Sequence, residues 1–314
     1  MKEIGGYFEL ECRNAPHYHT EGILLNSGRN ALRHVLRAFR VKRVYVPYYT
    51  CPVVLDAIRA EECAIVFYHI DESFLPAENL PADAFVIYNN YFGICGKNVR
   101  KMAAQYPNLL VDNAQAFYSP MQGLASFYSP RKFFGLPDGG IVCSKENLTA
   151  DYPIDLSYDR CLHLLKRHDC GAEAGYQNFR ESSENLAKAQ VCRMSNLTEA
   201  MMQNINYDEV RTRRLENFHA LASQLGFPYQ NIMDIDDVPM VYPYRSPDLS
   251  LRKKLIQNRV FVATYWPGIE KICPGGAFEI TLQNELLPLP IDQRYTTEDM
   301  RQMADMIKHL EQVI

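Results

Sequence analysis

The chain of 314 residues has little of several things, and each shortage removes a class of function. It holds a single tryptophan and no apolar run of about 18–20 residues, so nothing in it reads as a membrane span. Its nine cysteines are odd in number, and no two have C-x-x-C spacing. That excludes a paired disulfide framework and the usual zinc signatures, and fits thiols in a reducing cytosol. No G-x-S-x-G element, P-loop or dinucleotide glycine fingerprint occurs. Repeats and low-complexity tracts are missing too. There is no basic excess: the net charge is −4, which argues against a nucleic-acid partner. The segment MKEIGGYFELE lacks the apolar centre of a signal peptide, so a cytoplasmic protein is expected.

What is present is a large reserve of core material. Hydrophobic residues make up 47% and charged residues 22%, enough for one big domain and a smaller one. Residues 1–22 read as an N-terminal arm. Residues 23–222 read as a large domain in which short apolar runs alternate with helical stretches. Strands are expected at Val44–Val46, Ala64–Tyr68, Ala84–Tyr88, Leu109–Val111, Leu124–Tyr128 and Gly140–Cys143. Such alternation implies a mostly parallel sheet covered on both faces, whose ligands sit at the carboxyl ends of the strands. Pro47, Asn89, Asp112 and Ser129 fall near such ends.

A long helical stretch is expected from about 184 to 222, and 145–185 reads as a mobile cover. Residues 223–314 form a smaller α+β block. Its strands are expected at Met240–Tyr244, Val260–Tyr265 and Leu286–Leu289, and a last helix at Thr297–Ile314 with Thr297 as N-cap.

The stretch from Leu109 to Val142 carries the chemistry. An apolar run ends on Asp112, Gln115 follows, and Lys132 stands in Ser-Pro-Arg-Lys shortly before Gly139-Gly140. An acid at a strand end and a lysine beside aromatics are what pyridoxal phosphate (PLP) chemistry needs. The acid keeps the pyridinium nitrogen protonated, and the amine condenses with the aldehyde. Walled by Phe133 and Phe134, the Lys132 amine is expected to be desolvated, which lowers its pKa. Arg131 is the competing cation, for a phosphate or a carboxylate. Ser27-Gly28-Arg29-Asn30 opens the first long helix, and a helix start suits a phosphate; an ordinary N-cap has the same letters. Tyr48, Tyr49 and Tyr91 are each candidates to stack on a flat ring. His17, His19 and His69 show no metal-ligand spacing, and no metal site is expected.

These residues resemble the DegT/DnrJ/EryC1/StrS sugar aminotransferases, which have the type I PLP-dependent transferase fold. The resembling elements are Ser27-Gly28-Arg29-Asn30-Ala31-Leu32, Val46-Pro47-Tyr48-Tyr49-Thr50, Asp112-Asn113-Ala114-Gln115-Ala116, Lys132 to Val142, and Arg193-Met194-Ser195. The resemblance implies that Lys132 links to the cofactor and moves protons, that Asp112 pairs with the pyridinium, and that Gln115 touches the ring hydroxyl. Gly28 and Arg29 would meet the phosphate through backbone amides. It also implies a homodimer with the active site between subunits, and transfer of an amino group from glutamate to a nucleotide-linked keto-deoxy sugar. Dehydration or an amino-acid transformation on the same fold, and a non-catalytic relative, are the alternatives. Two departures stand out. The family's phosphate serine, five residues before the lysine, is here Phe127, so Ser126 or Ser129 takes its place. The stacking aromatic is replaced by Cys51, which leaves Tyr49 as the candidate.

Overall fold

The computed structural model describes residues 4–312. Nine strands run in chain order: β1 (Ile23–Leu25), β2 (Arg43–Pro47), β3 (Ala64–Tyr68), β4 (Val86–Asn89), β5 (Leu109–Asp112), β6 (Ala125–Tyr128), β7 (Gly140–Ser144), β8 (Val241–Arg245) and β9 (Leu286–Pro290). The helices are α1 (Gly28–Ala38), α2 (Pro52–Ala60), α3 (Gly96–Gln105), α4 (Leu162–Cys170), α5 (Tyr176–Lys188), α6 (Asn196–Gln203), α7 (Tyr207–Leu225), α8 (Leu251–Gln257), α9 (Phe278–Glu285) and α10 (Thr297–Gln312).

Seven strands form one sheet in the order β1-β7-β6-β5-β4-β2-β3. The central pairs from β6 across to β3 are parallel; β7 runs antiparallel to both β6 and β1. This is the mostly parallel α/β sheet that the short apolar runs predict. Strand parity sorts its side chains onto two faces. Leu110, Ile87, Ala125, Phe127 and Val142 pack with α1 and α2. Leu109, Val111, Val86, Tyr88, Tyr128 and Ile141 face the other way, toward α7 and α10. Asp112 is two residues beyond Leu110, so it emerges on the α1 face.

β8 and β9 make a separate antiparallel pair, packed with α7. The expected boundary between 222 and 223 falls inside α7. The long helix expected from 184 to 222 is three helices instead. Ser195 caps α6 by accepting from the Thr198 N–H, and Asn206 caps α7 by accepting from the Glu209 N–H. Between α5 and α6 the chain is extended, and Arg193 bridges Leu25 and Ile154. The expected strand at Val260–Tyr265 is irregular chain, without a ladder partner. In α10 the cap is Thr296, not Thr297: Thr296 Oγ1 accepts from the Asp299 N–H, and the Asp299 carboxylate accepts from the Thr296 N–H at 2.7 Å. The expected ends of the arm and of the last helix, residues 1–3 and 313–314, lie outside the described residues. No described helix is long and apolar enough to cross a membrane.

Candidate active site

One cavity of about 660 Å³ lies at the carboxyl ends of β5 and β6, against the start of α1. Ser27, Gly28, Arg29, Asp112, Gln115, Ser129 and Lys132 all line it. They come from three separate stretches of chain, and the fold brings them to one place.

Two glycines set the helix start beside the strand ends. Gly139 takes φ +111 and donates its N–H to the Asn26 carbonyl at 3.0 Å. A Cβ on Gly140 would stand 2.1 Å from the Ser27 carbonyl oxygen, so only glycine allows this approach. Ser27 then caps α1, its Oγ accepting from the Asn30 N–H at 3.1 Å. The amides of Gly28 and Arg29 belong to the first turn, which the helical ladder leaves without acceptors. Gly28 lies so close to Ser129 that an added Cβ would be 3.0 Å from the serine Cβ. Ser129 therefore stands at the helix start. Ser126 does not: its Oγ is engaged with the Gln122 backbone. The Arg29 side chain adds a guanidinium whose buried Nε has no partner.

Asp112 is half-buried, and its Oδ1 accepts from the Ala114 N–H at 2.8 Å. Burial pushes its carboxyl above the ordinary range, while the Lys132 charge and that amide pull it down. Gln115 Oε1 accepts from the Phe92 N–H at 2.9 Å. That bond fixes the amide orientation and leaves Nε2 as its free donor.

Lys132 departs from expectation. It sits in a single 3-10 turn, Pro130–Lys132, and is exposed to the cavity. Phe133 and Phe134 turn into the core on the other side, so they do not wall the amine. Tyr49 departs further. Its ring is fully buried, outside the cavity lining, and its hydroxyl donates to the Tyr265 carbonyl at 2.6 Å. Through that bond it supports the segment Thr264–Trp266, which itself lines the cavity. Tyr48 stacks on Phe67 and packs at a tilt against His69, and Tyr91 is buried in the core.

Other lining residues escaped sequence reasoning. Arg214 on α7 is 2% exposed, yet its guanidinium donates to the carbonyls of Met240 (2.9 Å) and Phe133 (3.2 Å) and lies 4.5 Å from the Phe133 ring. Burial pushes its pKa down to about 10. A signal was present: Val210, Arg214, Phe218 and Leu221 share one helical stripe, with the arginine among apolar residues. Phe179 and Ser183 of α5 also line the cavity, and Arg131 donates to Ser183 Oγ at 3.0 Å. The 145–185 segment thus contributes one cavity wall. With Arg29, Arg131, Lys132 and Arg214 against Asp112 and Asp292, the lining favours an anionic ligand.

No family model matches the chain, and no curated protein matches it by sequence. Solved structures do share its architecture. The chain is similar to the aminotransferase TlmJ from Streptoalloteichus hindustanus at 17% identity, over 94% of this chain and 87% of that one, with a TM-score of 0.65. It is similar to DesI, solved in the presence of its TDP-sugar product, at 16% identity over 91% and 79% of the two chains, with a TM-score of 0.62. For the putative sugar aminotransferase Spr1654 from Streptococcus pneumoniae, in its PLP form, the values are 15%, 93%, 88% and 0.59. The fold is that of the type I PLP-dependent transferases.

Proposed function

We propose that the chain is a PLP-dependent aminotransferase that moves an amino group from glutamate to a nucleotide-linked keto-deoxy sugar. One observation carries the reading: Lys132 and Asp112, at the ends of neighbouring strands, face a single cavity that also contains a helix start. The resemblance of Asp112–Gly140 to the sugar aminotransferases supports it, as does the likeness to DesI with its TDP-sugar product.

The residues fit the cofactor. The Gly28 and Arg29 amides, Ser129 Oγ and the unpartnered Arg29 Nε offer donors to a phosphate. Asp112 has no ion-pair partner among the described residues, and its carboxylate suits a protonated ring nitrogen. Gln115 Nε2 would donate to the ring hydroxyl. When bound, PLP supplies an electron sink. Lys132 Nζ would hold it and then take and return the proton that transamination moves; its exposure to the cavity leaves the amine free to swing. Arg131 would meet a donor carboxylate.

The same reading makes the protein a cytoplasmic homodimer. Its nine free cysteines fit a reducing compartment. Leu162, Leu165, Tyr176 and Phe179 are exposed on the α4–α5 hairpin beside the cavity, a surface suited to a second copy. Retention of both Lys132 and Asp112 weighs against a non-catalytic relative.

Purified protein given PLP should show the visible band of covalently held cofactor, and borohydride should bleach it and label Lys132. Glutamate should convert that band to the amine form and release 2-oxoglutarate. Lys132→Ala should abolish the band. Failure to take up PLP overturns the proposal; a band unresponsive to any amino donor points to dehydration or an amino-acid transformation.

A further inference from the structure

Beyond the cavity, the fold gathers a second set of chemically capable side chains. His69 follows edge strand β3; Cys273 and Glu279 lie just before and within α9. His69 Nδ1 is 3.1 and 3.2 Å from the two Glu279 carboxylate oxygens, and Cys273 Sγ is 3.8 Å from Oε2. All three ligand atoms lie within 4.8 Å of one another.

These separations have a geometric meaning. Ligands at about 2.0–2.3 Å around a tetrahedral ion stand roughly 3.3–3.8 Å from one another. The contacts of Glu279 with His69 and Cys273 lie close to that edge length, and the remaining edge, His69 to Cys273, is within 4.8 Å. Glu279 is fully buried, a costly place for a carboxylate, and its ion-pair partner His69 carries charge only when protonated. Its Oε1 also accepts from the Ile70 N–H at 2.8 Å, which orients the group from outside the cluster. The Tyr48 ring packs 4.6 Å from the His69 ring and restrains it. The His69 side chain is 36% exposed, which gives an ion an entry path from solvent.

We propose that His69, Cys273 and Glu279 bind one zinc ion. One sulfur, one imidazole nitrogen and one carboxylate form a borderline-soft set that suits zinc, whereas magnesium and calcium take oxygen ligands. Binding replaces the Cys273 S–H proton with the metal. The site is separate from the PLP cavity and does not depend on how that cavity is used. Its effect is to staple the α9 segment to the sheet edge.

The test uses the full chain, stripped with a chelator and titrated with zinc against a chromophoric competitor. One equivalent should bind, and zinc should raise the melting temperature. Cobalt in place of zinc should give a thiolate charge-transfer band. Loss of an outer-shell partner already costs 10–100-fold in affinity, so loss of a ligand should cost at least ~100-fold. Cys273→Ser should remove the cobalt band. His69→Ala changes a partly exposed side chain and spares every thiol; it should weaken zinc binding while the apo protein keeps its circular dichroism. The proposal is overturned if wild type takes up no stoichiometric zinc. It is equally overturned if His69→Ala and Cys273→Ser bind as wild type does, which would leave the trio a hydrogen-bonded contact.

Discussion

At the residue scale, Asp112 and Arg214 make an instructive pair. Both are charged groups at the cavity wall, but they are held differently. Asp112 has one backbone donor and the nearby Lys132 charge; Arg214 is wrapped by main-chain carbonyls. Asp112→Asn should therefore leave the fold intact and weaken PLP binding. Hydrogen bonds to charged groups contribute ~1.5–3 kcal/mol, or roughly 10–100-fold in the cofactor's dissociation constant, readable by fluorescence titration. Arg214→Met should act on stability. It strips donors from buried carbonyls at about 1–3 kcal/mol for each group left unsatisfied, which a denaturant midpoint would register. Asp112 was legible because it ends an apolar run. Arg214 was not, since no local pattern says which carbonyls will surround a helix residue. Lys132 was legible as a position but not in its environment: the aromatics next to it in sequence turn away in space.

At the element scale, the helix start owes its position to the Gly139-Gly140 turn. Gly140→Ala would drive a Cβ to 2.1 Å from the Ser27 carbonyl, a backbone atom that cannot step aside. The expected cost is ~3 kcal/mol or more, with loss of PLP binding, seen as a lower melting temperature and no cofactor band. Six strands of the main sheet were legible to within a residue or two because they are short apolar runs bounded by polar turns; β1, three residues long and paired only with β7, was not. The long helix between 184 and 222 was not. Its apolar stripe continues through two breaks, and the capping roles of Ser195 and Asn206 decide where it stops. Val260–Tyr265 is apolar enough for a strand, but no neighbouring edge reaches it.

At the scale of the whole molecule, Asp237 links the turn after α7 to the start of α3. Its Oδ2 accepts from the N–H groups of Gly96 (2.9 Å) and Asp234 (2.8 Å), and burial pushes its pKa up to about 7. The unfolded chain ionises this acid near its ordinary value of 3.8, so between there and about 7 the folded form holds the extra proton. Stability from this group therefore falls as pH rises through that window and is fully lost above it, at ~1.4 kcal/mol per pH unit. Asp237→Asn should flatten that slope in melts from pH 4 to pH 8. The exposed α4–α5 hairpin gives a second prediction, which rests on the proposed homodimer: Leu165→Glu should shift it toward monomer in sedimentation and lower turnover with it. The sequence by itself determined the α/β class and the chemistry-bearing segment, because apolar periodicity and a strand-ending acid are local properties. Only the tertiary structure decided that Tyr49 is buried and the Thr264–Trp266 segment forms a wall, that Arg214 reaches the cavity, and that His69 meets Cys273 and Glu279. Those outcomes depend on which distant segments pack together, and packing is settled by the shape of the whole core.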